Sequence, residues 1–315
     1  MSVVEPVLPR VAVVIPCYND GRFLHETLES VRTQEQCETV VVDDGSTDAR
    51  TLDVLADLRE SGVRVVTQPN QGLSAARMTG VRHTSARYVH PLDSDDRLAP
   101  GALQRLADAL DAQPKAHVAW GDYACFGAFH CRVPGARSLD PWRITYISEI
   151  VGTTMIRRSA LETVGGWDMG SGFEDWDLWM KLAEVGMQGS YVPAVTLHYR
   201  QHETPRMYRE SLDRIEKLRF RLRSRRHRLF AERPSNWRRS PSSWGVKAMF
   251  PVVGVAPGLS ERRRQQCYAL IRDIFEPEMS SDVFWGPRAR FRRWRRGVAR
   301  TQHNRRGSGL PTPDA

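Results

Sequence analysis

The sequence predicts an α/β protein: a mostly parallel sheet flanked by helices, followed by a basic helical extension. Three observations predict it. Short β-branched runs alternate with segments of helical period over roughly the first hundred residues. Hydrophobic residues make up 41% of the chain, enough to bury a core. Charge is split: Met207 to the end holds 26 Lys+Arg against 10 Asp+Glu, or +16, and the remainder carries −7 of the overall +9. An acidic first part and a basic last third imply regions with different partners.

VAVVIP (11–16) reads as a buried strand and YNDG as a turn. FLHETLESVRTQ spaces Phe23, Leu24, Leu28 and Val31 as a helix. ETVVVDD (38–44) is the second strand. Ser46, Thr47 or Asp48 can cap the next helix and Gly62 can end it. VRVVTQ (63–68), the helix GLSAARMTGVRHTS and ARYVHPL (86–92) complete the alternation. Strands separated by helices argue for right-handed crossovers, with ligands bound beyond the carboxyl ends of the strands. Further on, GALQRLADALDAQ is expected as a helix and HVAWGDYACFG as a strand. GTTMIRRSALETVGGWD should give a strand, a short helix and a turn, and FEDWDLWMKLAEVG an amphipathic helix. SYVPAVTLHYRQH reads as extended, and an Arg-rich helix is expected from Tyr208 to Phe230. The expected divisions are a domain over 1–206, a basic helical extension over 207–301 and a disordered tail over 302–315. Within the first, about 10–100 and 101–206 form two halves.

Five cysteines, odd in number and without a CxxC pair, argue against a disulfide framework or zinc site and for a reducing compartment. The first apolar run is short and lacks a basic flank, so no signal peptide is expected. No apolar run approaches the roughly 20 residues that span a bilayer, so a cytoplasmic protein, peripheral at most to the membrane's inner face, is expected.

HPLDSDDRLAP places Asp93, Asp95 and Asp96 within four residues, just past the fourth strand. In extended chain, Asp93 and Asp95 project to one side. Two such carboxylates suit Mg2+ or Mn2+, which completes its octahedron with substrate phosphate and water. The alternative is a solvated acidic loop in which Asp96 caps the following helix.

Four segments occur in order: VVIPCYNDGRFLHETLESVRTQ, VVVDDGSTD, NQGLSAARMTGV and YVHPLDSDD. A fifth, VGGWDMGSGFEDWDLWMKLAEVG, comes later. Together they resemble glycosyltransferase family 2, the inverting nucleotide-sugar enzymes of GT-A (Rossmann-like) fold, over about residues 11–204. The resemblance implies transfer of a sugar from a nucleoside-diphosphate-sugar, UDP favoured, to a hydroxyl acceptor, in polysaccharide, glycolipid or other glycoconjugate synthesis. It places Pro16, Tyr18 and Asn19 against the nucleotide, with Tyr18 able to stack on the base. Asp44 resembles the base-reading carboxylate, while Asp43 bonds the following turn. Arg77 meets the diphosphate or pins an acidic loop. Asp95 binds the metal, and Asp93 contacts the ribose or assists the metal. In FEDWDLW the general base is assigned to Asp175 ahead of Glu174, with Asp177 structural. Three acids opening a helix also suit its dipole without catalysis. Trp167 and Asp168, in the GGWD turn, are candidates for sugar and acceptor contacts, with core packing the alternative for Trp167. His202 is the candidate third group near the metal, and a surface histidine is the alternative.

The Gln-x-x-Arg-Trp motif of processive synthases is missing, which implies single transfers. A dinucleotide oxidoreductase is excluded by CYNDGR, which has no GxGxxG. A catalytically silent nucleotide-sugar binder, tethered by its tail, is the competing reading. For the basic tail three readings compete: a solvated or partner-facing surface, an anionic membrane contacted by Trp285, Phe291 and Trp294, or nucleic acid, the weakest.

Overall fold

The computed structural model describes residues 9–170, 172–203 and 212–279. Three parallel strands open the chain: β1 (Val11–Cys17), β2 (Glu38–Asp43) and β3 (Val65–Thr67). Helices α1 (Leu24–Arg32) and α2 (Ala49–Glu60) connect them, and Asp48 caps α2 by accepting from the Thr51 amide. Helix α3 (Leu73–Arg82) then leads to β4 (Tyr88–Pro91), parallel to β1 on its other side. The small residues of α3 let it lie close to β1. A Cβ on Gly80 would stand 2.2 Å from Val14 Cγ1.

The second half is mixed. Strand β5 (Arg97–Leu98), helix α4 (Ala102–Ala112), the long β6 (Ala116–Gly127) and β7 (Cys131–Val133) precede β8 (Met155–Arg157). Helices α5 (Arg158–Val164) and α6 (Glu174–Glu184) then lead to β9 (Gln188–Gln201). Sheet order is β3-β2-β1-β4-β8-β6-β9-β5, with β7 beside β6. The β1 to β4 set is parallel, and β8 joins it antiparallel. Cys125 and Cys131 stand opposite each other in the β6–β7 hairpin and form a disulfide. Cross-strand register brings them together, which a count of scattered cysteines does not reveal.

The strand register positions the site. Pairing of β1 with β4 stops at Val14 and Pro91, while β1 and β2 stay paired to Cys17 and Asp43. Pro16 lies just past this break and has no N–H to give a ladder on the β4 side. The sheet therefore parts between β1 and β4 at their carboxyl ends, the crevice where such sheets bind ligands.

The described part of the extension is helical: α7 (Leu212–Arg225), α8 (His227–Ala231), α9 (Arg233–Arg239), α10 (Trp244–Val255) and α11 (Glu261–Phe275). Leu218, Leu222 and Leu229 join the same core as α6. Val246, Phe250 and Tyr268 pack with Trp142, Tyr146 and Ile147 in a separate cluster. No helix among the described residues is long and apolar enough to cross a membrane.

Candidate active site

The loop after β4 carries the three clustered carboxylates, and each is held differently. Asp93 Oδ1 accepts from Arg77 Nη2 at 2.8 Å. Asp95 Oδ2 lies 2.7 Å from His202 Nε2, just past the end of β9. Asp96 is fully buried, and its Oδ1 accepts from the Arg200 backbone N–H at 2.7 Å. It does not cap α4, whose N-terminal cap is Gly101. Burial, then the charges of Asp95 and Asp93, pushes the Asp96 carboxyl well above the usual range. Burial and the Asp93 charge also raise Asp95, against the lowering pull of His202. Thr27 Oγ1 donates to the carbonyls of Ser94 and Asp96, fixing the loop from below.

Arg200 completes that clamp. Its Nε donates to the Asp95 carbonyl at 2.7 Å, and its guanidinium lies 3.9 Å from the Phe23 ring centroid. Sequence reasoning missed Arg200. The only signal was its place two residues before His202 at the end of a predicted strand. His198 sits in β9, opposite Arg97 of β5.

Arg77 joins the two halves. It is 2% exposed, and α3 points it between Asp93 and Glu174. Its Nη1 reaches Glu174 Oε1 at 3.4 Å. Both acids raise its pKa against the cost of burial. Of the two roles expected for Arg77, this geometry is that of the pin.

Glu174 and Asp175 open α6 after Gly172 and Phe173, both at positive φ (96° and 62°). Among the described residues, the only other non-glycine at positive φ is Asn19, also at the rim of the crevice. Strained backbone of this kind persists where surrounding structure holds it, often beside functional groups. Glu174 is committed to Arg77 and to the Gly172 amide. Among the described residues, Asp175 accepts a hydrogen bond only from the adjacent Trp176 amide, at 2.7 Å. Burial, with the nearby Glu174 charge, pushes its carboxyl up to about 6, while Arg77 pulls it down. Trp176 and Trp179 are both buried and donate to the carbonyls of Ile144 and Ile150. They tie the base of α6 to the segment that precedes β8.

The nucleotide-side candidates divide. Tyr18 is 51% exposed at the crevice rim, open to a stacking partner. Asn19 Oδ1 accepts from the amides of Thr47 and Asp48, so it joins the turns after β1 and β2. Asp43 accepts from the Ser46 amide, as expected of a turn-former. Asp44 does comparable work: it accepts from Gln68 Nε2 and from the amides of Gln71 and Gly72, at the start of α3. Three of its roughly four acceptor positions are taken.

Pro16 is buried as the penultimate residue of β1, beside the break where β1 and β4 part. The two candidates of the GGWD turn sit differently. Trp167 is 4% exposed in the core, 5.7 Å from the Arg77 guanidinium, and cannot stack on a sugar from there. Asp168 faces the extension: it pairs with Lys181 at 2.7 Å and Arg225 at 2.6 Å. Its neighbour Asp177, read as structural, is buried and accepts a two-pronged contact from Arg226 at 2.8 and 3.0 Å. Removing one partner of such a buried pair strands the other charge. Asp177→Ala should therefore cost about 3 kcal/mol of stability, measured by denaturant unfolding. A change below about 1 kcal/mol, the worth of a surface pair, would show that Arg226 does not anchor the extension to α6.

The donors available to a divalent cation are Asp95 and His202, with the second oxygen of Asp93 beside them. Among the described residues no three His, Cys, Asp or Glu side chains form a ready cage. Few protein ligands suit a hard ion that keeps water and takes phosphate. The raised Asp95 carboxyl is the charge such an ion would stabilise.

Residues 12–165 match the family model described as glycosyl transferase family 2. The glycosyltransferase GlyA of Streptococcus pneumoniae is 35% identical over 134 residues, covering 40% of this chain and 19% of that protein. The chondroitin synthase of Escherichia coli is 28% identical over 194 residues, covering 57% and 27%. The chain thus spans well under half the length of either relative. Among solved structures, S. aureus TarS 1-349 in complex with UDP-GlcNAc matches with a TM-score of 0.55 at 17% identity, over 86% of this chain and 82% of that one. The mannosyltransferase PcManGT from Pyrobaculum calidifontis, in complex with GDP-Man and Mn2+, gives 0.52 at 21%, over 86% and 82%. At these identities the likeness is one of fold, and it agrees with the expected GT-A class.

Proposed function

We propose, from the premise that the chain belongs to glycosyl transferase family 2 through residues 12–165, that it moves a sugar from a nucleoside-diphosphate-sugar to a hydroxyl acceptor with inversion. The observation that carries this reading is the single buried Arg77 bonded to both Asp93 and Glu174. It brings the acidic loop of the first half and the acids of α6 to one rim of the sheet. A donor in the β1–β4 crevice would set its base near Tyr18 and its diphosphate beside Asp93 and Asp95. Asp95 and His202 would hold Mg2+ or Mn2+, which would supply charge for the departing diphosphate. Asp175 would accept the proton of the attacking hydroxyl. Glu174 is the weaker candidate because Arg77 and Gly172 already engage it. Asp175 lies beyond the matched segment, so its role rests on this geometry and on its raised carboxyl.

UDP is the favoured donor nucleotide, and the acceptor is proposed to be a glycan, a lipid-linked glycan or a small hydroxyl compound. The test is thermal unfolding with a panel of nucleoside diphosphates and their sugars, with and without Mn2+. A ligand that binds only the folded state raises Tm. A UDP-sugar shift that depends on the metal is expected. If none of the panel moves Tm, the donor reading fails. Slow metal-dependent hydrolysis of the donor without acceptor separates an enzyme from a silent binder, which should show none.

A further inference from the structure

Helix α10 is apolar on both sides. Val246, Phe250 and Val253 face the core beside Trp142 and Tyr146. On the opposite side, Trp244, Ala248, Val252 and Val255 fall at i, i+4, i+8 and i+11, one continuous stripe, and all four are exposed. Val255 is 82% exposed, Trp244 72% and Val252 56%. Phe275, at the end of α11 and also exposed, lies against Gly245 and widens the stripe beside Trp244. A helix that is hydrophobic all round is ordinarily covered on both sides.

The helix is also held rigidly. Pro251 has no N–H to give the Lys247 carbonyl, and Trp237 Nε1 donates to that carbonyl instead, at 3.1 Å. At the far end Arg264 donates to the carbonyls of Val253, Gly254 and Ala256. The apolar face is thus presented by a fixed helix, not by a fraying end. Around it the charge is positive. Exposed Arg238 and Arg239 end the preceding helix, and Lys247 is the one charged residue on α10.

We propose that the exposed face of α10 seats the protein on an anionic lipid surface. A fixed apolar stripe that enters the acyl boundary, together with flanking arginines on lipid phosphates, supplies the two signals that stable peripheral binding requires. The surface differs from Trp285, Phe291 and Trp294, which lie outside the described residues. A protein partner would also cover apolar area. Arg238, Arg239 and Lys247 favour anionic headgroups, which need no shape match, and two of the acids beside Phe275 are already engaged, Asp273 by Arg272 and Glu276 by Arg143.

The test uses the full chain in flotation with two vesicle compositions, phosphatidylcholine alone and phosphatidylcholine with phosphatidylglycerol. Binding to the anionic vesicles only, weakened by salt, is expected. Val252→Glu with Val255→Glu should lower the partition coefficient by about tenfold per valine, since each loses a buried side chain's worth of transfer. Both residues are exposed, so Tm should hold. As a second measurement, brominated lipid should quench the tryptophan emission, and Trp244→Phe should remove much of that quenching. The proposal is overturned if the parent stays unbound to both vesicles, or if the double variant binds as well as the parent. A parent dimer that the double variant converts to monomer would also overturn it, since a second copy would then be the occupant.

Discussion

Replacing Asp175 by Asn is expected to slow transfer by about a thousandfold, the middle of the range for a lost general base, while the protein stays folded. The pH profile of the parent should carry the matching signature. Asp175 must be ionised to take a proton, and its carboxyl is pushed up to about 6. Activity should therefore hold above that pH and fall about tenfold per unit below it. Stability runs the other way. An unfolded Asp titrates near 3.9, so between there and about 6 the native state holds a proton that the unfolded state has lost. The stability that Asp175 contributes as a neutral acid is present below that window and is lost as pH rises through about 6. Asn has no such loss, so the variant's Tm at neutral pH should equal or exceed the parent's. Near-normal turnover in Asp175→Asn would move the base elsewhere, and Glu174 is then the residue to replace.

The alternation that gives β1 to β4 was legible because each strand is a short β-branched run between helix-period segments, a local pattern. The chain past Leu98 was harder to read. Strand β8 joins β4 antiparallel and β6 runs beside β9 with bulges, and both are pairings between distant segments. Asp93, Asp95 and Asp175 stood out because carboxylates so closely spaced demand an account. Arg200 did not, because its backbone N–H and its guanidinium reach the acidic loop only once β9 lies beside β5. Trp167 was ambiguous for another reason: an aromatic after two glycines fits a sugar platform or a core corner equally, and only burial decides. The arginines of the extension read as a surface charge run. Their partners Asp168, Asp177 and Glu149 lie far back along the chain, and Arg225, Arg226 and Arg272 reach them only after folding.

The second large effect is expected at Arg77. Arg77→Met leaves Asp93 and Glu174 without their shared cation, in a position where the arginine was almost fully buried. Loss of one partner from a buried charge cluster costs about 3–5 kcal/mol, so the variant should unfold at markedly lower denaturant. Arg77→Lys keeps the charge but not the fork. Two separate nitrogens of Arg77 reach the two acids, and one ammonium cannot hold both in that geometry. The lysine variant should fold, yet bind donor more weakly because the Asp93 loop loses its tie to α6. Its pH profile is the discriminating readout. Arg77 is the cation that lowers Asp175. A lysine drawn to Asp93 stands farther from α6, so the acid limb should move above 6. Weaker activity with the limb unmoved would mean that Arg77 supports the fold alone and does not couple the acidic loop to the base.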